Sequence, residues 1–191
     1  MLKELIIGAA ALVAMVAAWL GWAFNRLVRA RNRMREGWSG IEVQLKRRHD
    51  LVPRLVETVK AYAAHERGVL EAVASERNAA QAAKGPGEAT RAEQSLGKGL
   101  GRIVALAEAY PELKADASFR DLMTRLVEIE DGIQYARRYY NGSVRDLNNL
   151  IESFPTNLVA RLFGFRAGEF FETTTASERL APKVGQSNQA P

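Results

Sequence analysis

The stretch LIIGAAALVAMVAAWLGWAF, residues 5–24, contains no charged side chain, and five arginines follow it directly: Arg26, Arg29, Arg31, Arg33 and Arg35. A bilayer core of about 30 Å is crossed by roughly 20 apolar residues rising about 1.5 Å each. Residues 5–24 have that length. Trp19, Trp22 and Phe24 stand where interfacial aromatics gather. Residues 1–25 are therefore expected to be a single membrane anchor, with Leu5, Leu12, Trp19, Trp22 and Phe24 against lipid. A cleaved signal peptide is the competing reading. It would have a shorter apolar run, roughly 7–15 residues, behind a clearly basic start. Here the run is longer, and Lys3 is offset by Glu4. An uncleaved anchor is expected, and with no cysteine in the chain it is not a lipid-modified one.

Orientation follows from the flanks. Arginines beside a span stay on the cytoplasmic side, so the short N-terminus is expected outside and the rest inside. The membrane would be the cell (inner) membrane or an internal membrane derived from it. The same arginines are expected to touch lipid headgroups. Of the net charge of +5, the five arginines and Glu36 account for +4. The remainder is nearly neutral, which argues against a nucleic-acid partner needing basic residues across a face.

Beyond the anchor, residues 26–172 read as one all-α domain, an antiparallel helix bundle, and residues 173–191 as a polar tail with the composition of a disordered segment. A heptad from Trp38 places Ile41, Leu45, Val52, Leu55, Val59, Tyr62, Val69 and Val73 on one coiled-coil-like seam, interrupted by Arg48 and Glu66. The phase persists through Pro53, which predicts one long first helix, kinked at the proline and running to Asn78. The alternative is a new helix capped by Asp50 with Pro53 in its first turn. Lys84-Gly85-Pro86-Gly87 predicts a mobile connection, and a second helix is expected from about Thr90 until Pro111 ends it. Gly97, Gly99 and Gly101 in that helix imply close packing of a neighbour. A third helix is expected behind a Ser118 cap, with Phe119, Leu122, Leu126, Ile129, Ile133, Ala136, Tyr140, Leu147 and Ile151 on its seam. Its other face carries Arg125, Glu128, Glu130, Asp131, Arg137 and Arg138, the pattern of solvated surface. Residues 157–163 predict one more short helix.

These stretches resemble the LemA family. The resemblance is carried by Phe24-Asn-Arg-Leu-Val, Arg31-Asn, EGWSGIEVQLKRRHDLVPRLVETVKAYAAHE (residues 36–66), ALAEAYPELKA (105–115), EDGIQYARRYYNGSVRDLNNLIESFPTNLVARLFGF (130–165) and Phe170-Phe171-Glu172. Arg54, Gly37 and Leu147 depart from the family's usual asparagine, alanine and tyrosine. The resemblance implies an antiparallel bundle with an N-terminal anchor, and a likeness to proteins of magnetosome membranes. Family genes often lie near those of membrane proteases. The resemblance implies no catalytic residues and no cofactor.

Site chemistry in the sequence is sparse. On one helix His49 and His65 would lie about 24 Å apart and could not share a metal. Each is expected at the surface or a seam edge. No G-x-S-x-G, phosphate loop or dinucleotide fingerprint occurs. No catalytic, cofactor or metal site is expected, and no small-molecule substrate. Two functional classes remain: a membrane-anchored scaffold or adaptor working through protein contacts, and an accessory subunit of a membrane protease or other envelope complex. Homo-oligomers are expected from Ala10, Ala14 and Ala18, small residues four apart in the anchor. Leu158, Leu162, Phe163, Phe165, Phe170 and Phe171 concentrate apolar surface near the C-terminus. They are expected either to cover an end of the bundle or to dock a partner, which could itself be a membrane protein.

Overall fold

The structure, a computed structural model, describes residues 1–172; the expected polar tail lies outside the described residues. Six helices account for nearly all of it: α1 (Leu2–Tyr62), α2 (Arg67–Ala82), α3 (Gly85–Ala109), α4 (Pro111–Ala115), α5 (Ala117–Glu152) and α6 (Thr156–Leu162). The 61 residues of α1 form one uninterrupted helix, about 90 Å long at 1.5 Å per residue. Its first third stands clear of the rest: the most apolar window has a mean hydropathy of 2.2 and none of it is buried. By length and composition this is the one helix among the described residues able to cross a membrane. Burial begins at Ala23 and continues through Leu27, Ala30, Ile41, Leu45, Val52, Leu55 and Val59, where the helix becomes the spine of the bundle.

Antiparallel to this spine runs α5, 36 residues long. The pair approach closely at Gly37, where a Cβ would lie 3.0 Å from Cα of Tyr140. Three apolar clusters follow one another along α1. At the membrane end Ala23, Leu27 and Ala30 meet Leu147, Val159 and Ala160. In the middle Ile41 and Leu45 meet Ile133, Tyr140, Val144 and Phe171. At the far end Val52, Leu55 and Val59 are enclosed by Val73, Leu96, Ile103, Leu122 and Leu126 from the other helices.

Helix α1 passes unbroken through Pro53, as its heptad phase predicts, and Asp50 does not start a new helix. A proline has no N–H, so the carbonyl four residues earlier loses its helical donor. That carbonyl belongs to His49, and Nε of Arg77 on α2 donates to it at 3.1 Å. The defect in α1 thereby becomes a docking point for α2.

The first helix does not reach Asn78. It ends at Tyr62, the chain reverses across residues 63–66, and α2 packs back on α1. The reversal is made by Ala-Ala-His-Glu, with neither glycine nor proline to mark it. The unbroken phase was a coincidence of spacing: in α2 the buried residues are Leu70, Val73 and Ala80, while Val69 is half-exposed. Between α2 and α3 stand only Ala83 and Lys84. Gly85, at φ +73°, and Pro86 open α3 in place of the expected loose connection. Of Gly97, Gly99 and Gly101, Gly99 has the closest neighbours, Val73 and Glu76 of α2, whereas Gly101 faces open space. Helix α3 stops at Ala109, just before Pro111 as expected, and Pro111 then opens the short α4. The cap of α5 is Asp116 rather than Ser118, its carboxylate accepting from N–H of Phe119 at 2.8 Å. That bond holds the Asp116 carboxyl below the usual carboxylate range.

The proline docking point makes a prediction. Arg77→Ala leaves the His49 carbonyl without a donor and should destabilise the fold by about 1–3 kcal/mol. In a Pro53→Ala background the restored N–H satisfies that carbonyl, and the same change should be markedly milder. Chemical unfolding of the four variants in detergent micelles measures the difference. Equal losses in both backgrounds would refute the docking role.

Candidate functional site

Two polar or apolar concentrations stand out from the helical frame: a charge network inside the bundle, and an arginine- and aromatic-rich zone where α1 leaves its apolar segment.

The network begins with Arg48, at a seam position where an apolar residue would ordinarily stand. Its Nη1 donates to Oε2 of Glu93 on α3 at 3.1 Å, and its Nη2 pairs with Oε1 of Glu130 on α5 at 3.0 Å. Nε2 of His49 lies 2.6 Å from the other oxygen of Glu93. An ionised carboxylate only accepts, so His49 is the donor whenever Glu93 is charged. Gly97 leaves room for the guanidinium, its Cβ position 3.5 Å from Nη2 of Arg48. Glu93 is 2% exposed and His49 6%, which corrects the expectation of a surface histidine; His65 is exposed. Glu130, expected on a solvated face, is instead turned inward, and burial pushes its carboxyl above the usual range although Arg48 opposes the shift. The arrangement joins α1, α3 and α5 at one level and fixes their register, the best-attested use of buried charge.

Removing one member leaves a buried charge unpaired. Glu93→Ala should therefore cost about 3–5 kcal/mol in chemical unfolding. The pair Arg48→Met with Glu93→Gln, which keeps a partner for His49 and removes both charges, should cost less than Arg48→Met alone. Additive losses would refute the coupling.

At the membrane end, the five arginines do not form a uniform collar. Arg26, Arg29 and Arg33 share one face and line a cleft of about 800 Å³ together with Trp22, Asp146 and Phe154. Arg31 turns into the bundle, its guanidinium 5.0 Å above the ring of Phe165. Arg35 is exposed. Of the anchor residues, Leu5 and Leu12 are exposed and Trp22 half so, while Trp19 is partly covered. Phe24 is packed by protein: its ring lies 4.8 Å from that of Phe163 and 5.9 Å from that of Phe165.

The C-terminal aromatics divide by position. Phe171 is fully buried against Trp38, at 5.7 Å between rings, and belongs to the core. Phe165 is half-buried and Phe170 is 43% exposed. Leu158 and Leu162 are exposed on α6, and Phe163 just after it. What returns Phe171 to the core is an extended strap over residues 165–172, held by asparagines that imitate strand pairing. Asn141 exchanges two hydrogen bonds with the backbone of Phe171, both 3.0 Å, and Asn148 does the same with Gly168 at 2.8 and 3.1 Å. The hydroxyl of Tyr140 donates to the carbonyl of Glu169 at 2.7 Å. The sequence reading passed over these asparagines. The signal was their spacing, seven residues apart along the packed side of α5.

Burial raises the Tyr140 hydroxyl from about 10 to about 12, with Glu169 adding to the effect. A folded pKa above the unfolded one means that this contribution to stability is whole below pH 10 and is lost as pH rises through 12. Subtracting the alkaline unfolding curve of Tyr140→Phe from that of the unmodified chain should reveal this loss. Parallel curves would refute it.

Sequence comparison finds relatives that align along most of the chain. Magnetosome proteins MamQ 2 and MamQ 1 of Paramagnetospirillum magneticum are each 26% identical over 210 aligned positions, covering 95% of this chain and 77% of the relative. Magnetosome protein MamQ of Magnetospirillum gryphiswaldense is 26% identical over 176 positions, covering 78% of this chain and 65% of the relative. The LemA family pattern itself matches residues 37–185, from the glycine where α1 and α5 meet to beyond the strap, and the chain belongs to the LemA family.

Proposed function

We propose that this chain is a membrane-anchored helical scaffold that acts through contacts with other proteins and not as a catalyst, its bundle on the cytoplasmic side. The observation that carries the reading is the exposed aromatic surface on α5, beside the spine. Tyr135 is 71% exposed and Tyr139 47%, on the stretch of α5 that packs along α1 between Gly37 and Arg48, where Val43 is also exposed. Aromatic side chains are enriched in protein interfaces, where tyrosine offers large contact area with few rotatable bonds. The polar groups best able to do chemistry, Arg48, His49 and Glu93, are enclosed and already paired. Kinship with proteins named for the magnetosome supports a seat in the cell membrane or in an internal membrane. The arginines after residue 24 support the cytoplasmic orientation.

Two measurements test this. A reporter active only outside the cytoplasm, fused after Pro191, should be silent, and changing Arg26, Arg29, Arg31, Arg33 and Arg35 to glutamine should give mixed orientations. A photo-crosslinker at Tyr135 in native membranes should give discrete protein adducts that a crosslinker at Glu57 does not. Self-adducts would mark a scaffold of like copies. One foreign adduct in fixed ratio would mark an accessory subunit. No adducts at Tyr135 would remove the basis of the reading.

A further inference from the structure

The apolar edge of α6 is uncovered by the bundle. Phe154 is 80% exposed, Leu158 56%, Leu162 73% and Phe163 54%. Leu158 and Leu162 are four apart and share one face of α6; Phe154 just precedes the helix and Phe163 just follows it. The opposite face, Thr156, Val159 and Ala160, is buried, with Val159 and Ala160 in the cluster that holds Ala23, Leu27 and Ala30 of α1. The helix is therefore amphipathic in an unusual sense: one apolar face is used inside, and a second is left outside.

What covers the second follows from its level along α1. At one end of α6, the ring of Phe163 lies 4.8 Å from that of Phe24, the last residue of the apolar segment. At the other end, Phe154 and Pro155 line the same cleft as Trp22 and Arg26. Both ends of α6 thus meet α1 where its apolar residues give way to arginines. A bilayer crossed by residues 5–24 has its surface near that level, which brings α6 beside it.

We propose that α6 is an interfacial membrane element: Phe154, Leu158, Leu162 and Phe163 enter the boundary between headgroups and acyl chains of the same anionic phospholipid leaflet that α1 leaves. The proposal rests on reading α1 as the membrane span. Amphipathic helices settle in this layer with the apolar side down and basic side chains at the phosphates. The charges match. Arg26, Arg29 and Arg33 line the adjoining cleft against one carboxylate, Asp146, and Arg161 is exposed on α6 itself. Their long side chains can reach phosphates while their stems lie along apolar surface. The consequence is mechanical. A single span can turn and tilt in the bilayer and carry the bundle with it, whereas a second contact beside the span fixes which side of the bundle faces the lipid.

The chain contains no cysteine, so single-cysteine variants of the full-length protein test this directly. Leu158→Cys and Leu162→Cys probe α6. Trp22→Cys probes the span, and Val127→Cys is an exposed control on α5, level with Leu51 and so about 40 Å along α1 from Phe24. Each carries an environment-sensitive dye and is reconstituted into vesicles of phosphatidylcholine and phosphatidylglycerol. Nitroxides on the acyl chains should quench positions 158, 162 and 22 several-fold more than 127, and iodide in the water should quench 127 most. Omitting phosphatidylglycerol should weaken the acyl-chain quenching at 158 and 162. If position 22 is quenched while 158 and 162 behave like 127, α6 lies in water and the proposal is wrong, although the anchor stands. If 158 and 162 are shielded from both quenchers, a protein surface or a second copy covers α6, which also overturns it. If position 22 is not quenched, the span reading itself fails and the proposal falls with it.

Discussion

The constraint on which the rest depends is that one continuous helix must serve two solvents. Over residues 5–24 α1 can be apolar all round, because a span may meet lipid on every side. From Ala23 onward the same helix must confine its apolar residues to a stripe, because water surrounds whatever the bundle does not cover. No loop or glycine pair separates the two regimes, so the register of the stripe against α5 also fixes how the bundle is rotated relative to the span. Gly37 lets the backbones of α1 and α5 approach at Tyr140, and a residue with bulk there would push the pair apart along the whole seam.

Much of this was legible in the sequence because it rests on periodicity and length. The apolar run, the seam through Ile41, Leu45, Val52, Leu55 and Val59, and the long helix ending near Phe154-Pro155 are all one-dimensional patterns. The misreadings came from features that periodicity does not encode. The reversal at residues 63–66 keeps the heptad phase and uses residues that are good helix formers, so neither spacing nor propensity announces it. The Asp116 cap lay two residues before the Ser118 chosen, since both residue types cap well. The network joining Arg48 and His49 to Glu93 and Glu130 is not legible in the sequence because each of its pairings spans 44 or more residues, and a carboxylate on a helix ordinarily faces water. Asn141 and Asn148 were overlooked for the opposite reason: a polar residue beside an apolar seam reads as a minor blemish until its backbone partner is known.

These polar residues share a physical role. Each fills a hydrogen-bonding need that the helices cannot meet alone. Arg77 satisfies the carbonyl that Pro53 frees. Asn141 and Asn148 satisfy the backbone of an extended strap that has no neighbouring strand. Arg48 and His49 satisfy the carboxylate of Glu93. Buried polar groups are costly when unpaired, so each pairing excludes registers in which it is broken. The apolar clusters supply the driving force for collapse, and the polar pairings select which collapsed arrangement is kept.

Arg48, His49 and Glu93 are held inside and paired, while several large aromatic and aliphatic side chains stand exposed: Phe154, Leu158, Leu162 and Phe163 near the end of the apolar segment, Val43, Tyr135 and Tyr139 further out. A continuous helix turns that arrangement into a ruler. Tyr139 packs on Gly37, thirteen residues beyond Phe24, which is about 20 Å along α1. A protein that docks on the exposed tyrosines must therefore present its own contact surface about that far from the bilayer. A peripheral element lying flat in the headgroups would pass beneath them. On the proposed adaptor reading, the partners such a surface would select are those with structure standing clear of the membrane, by height as well as by chemistry.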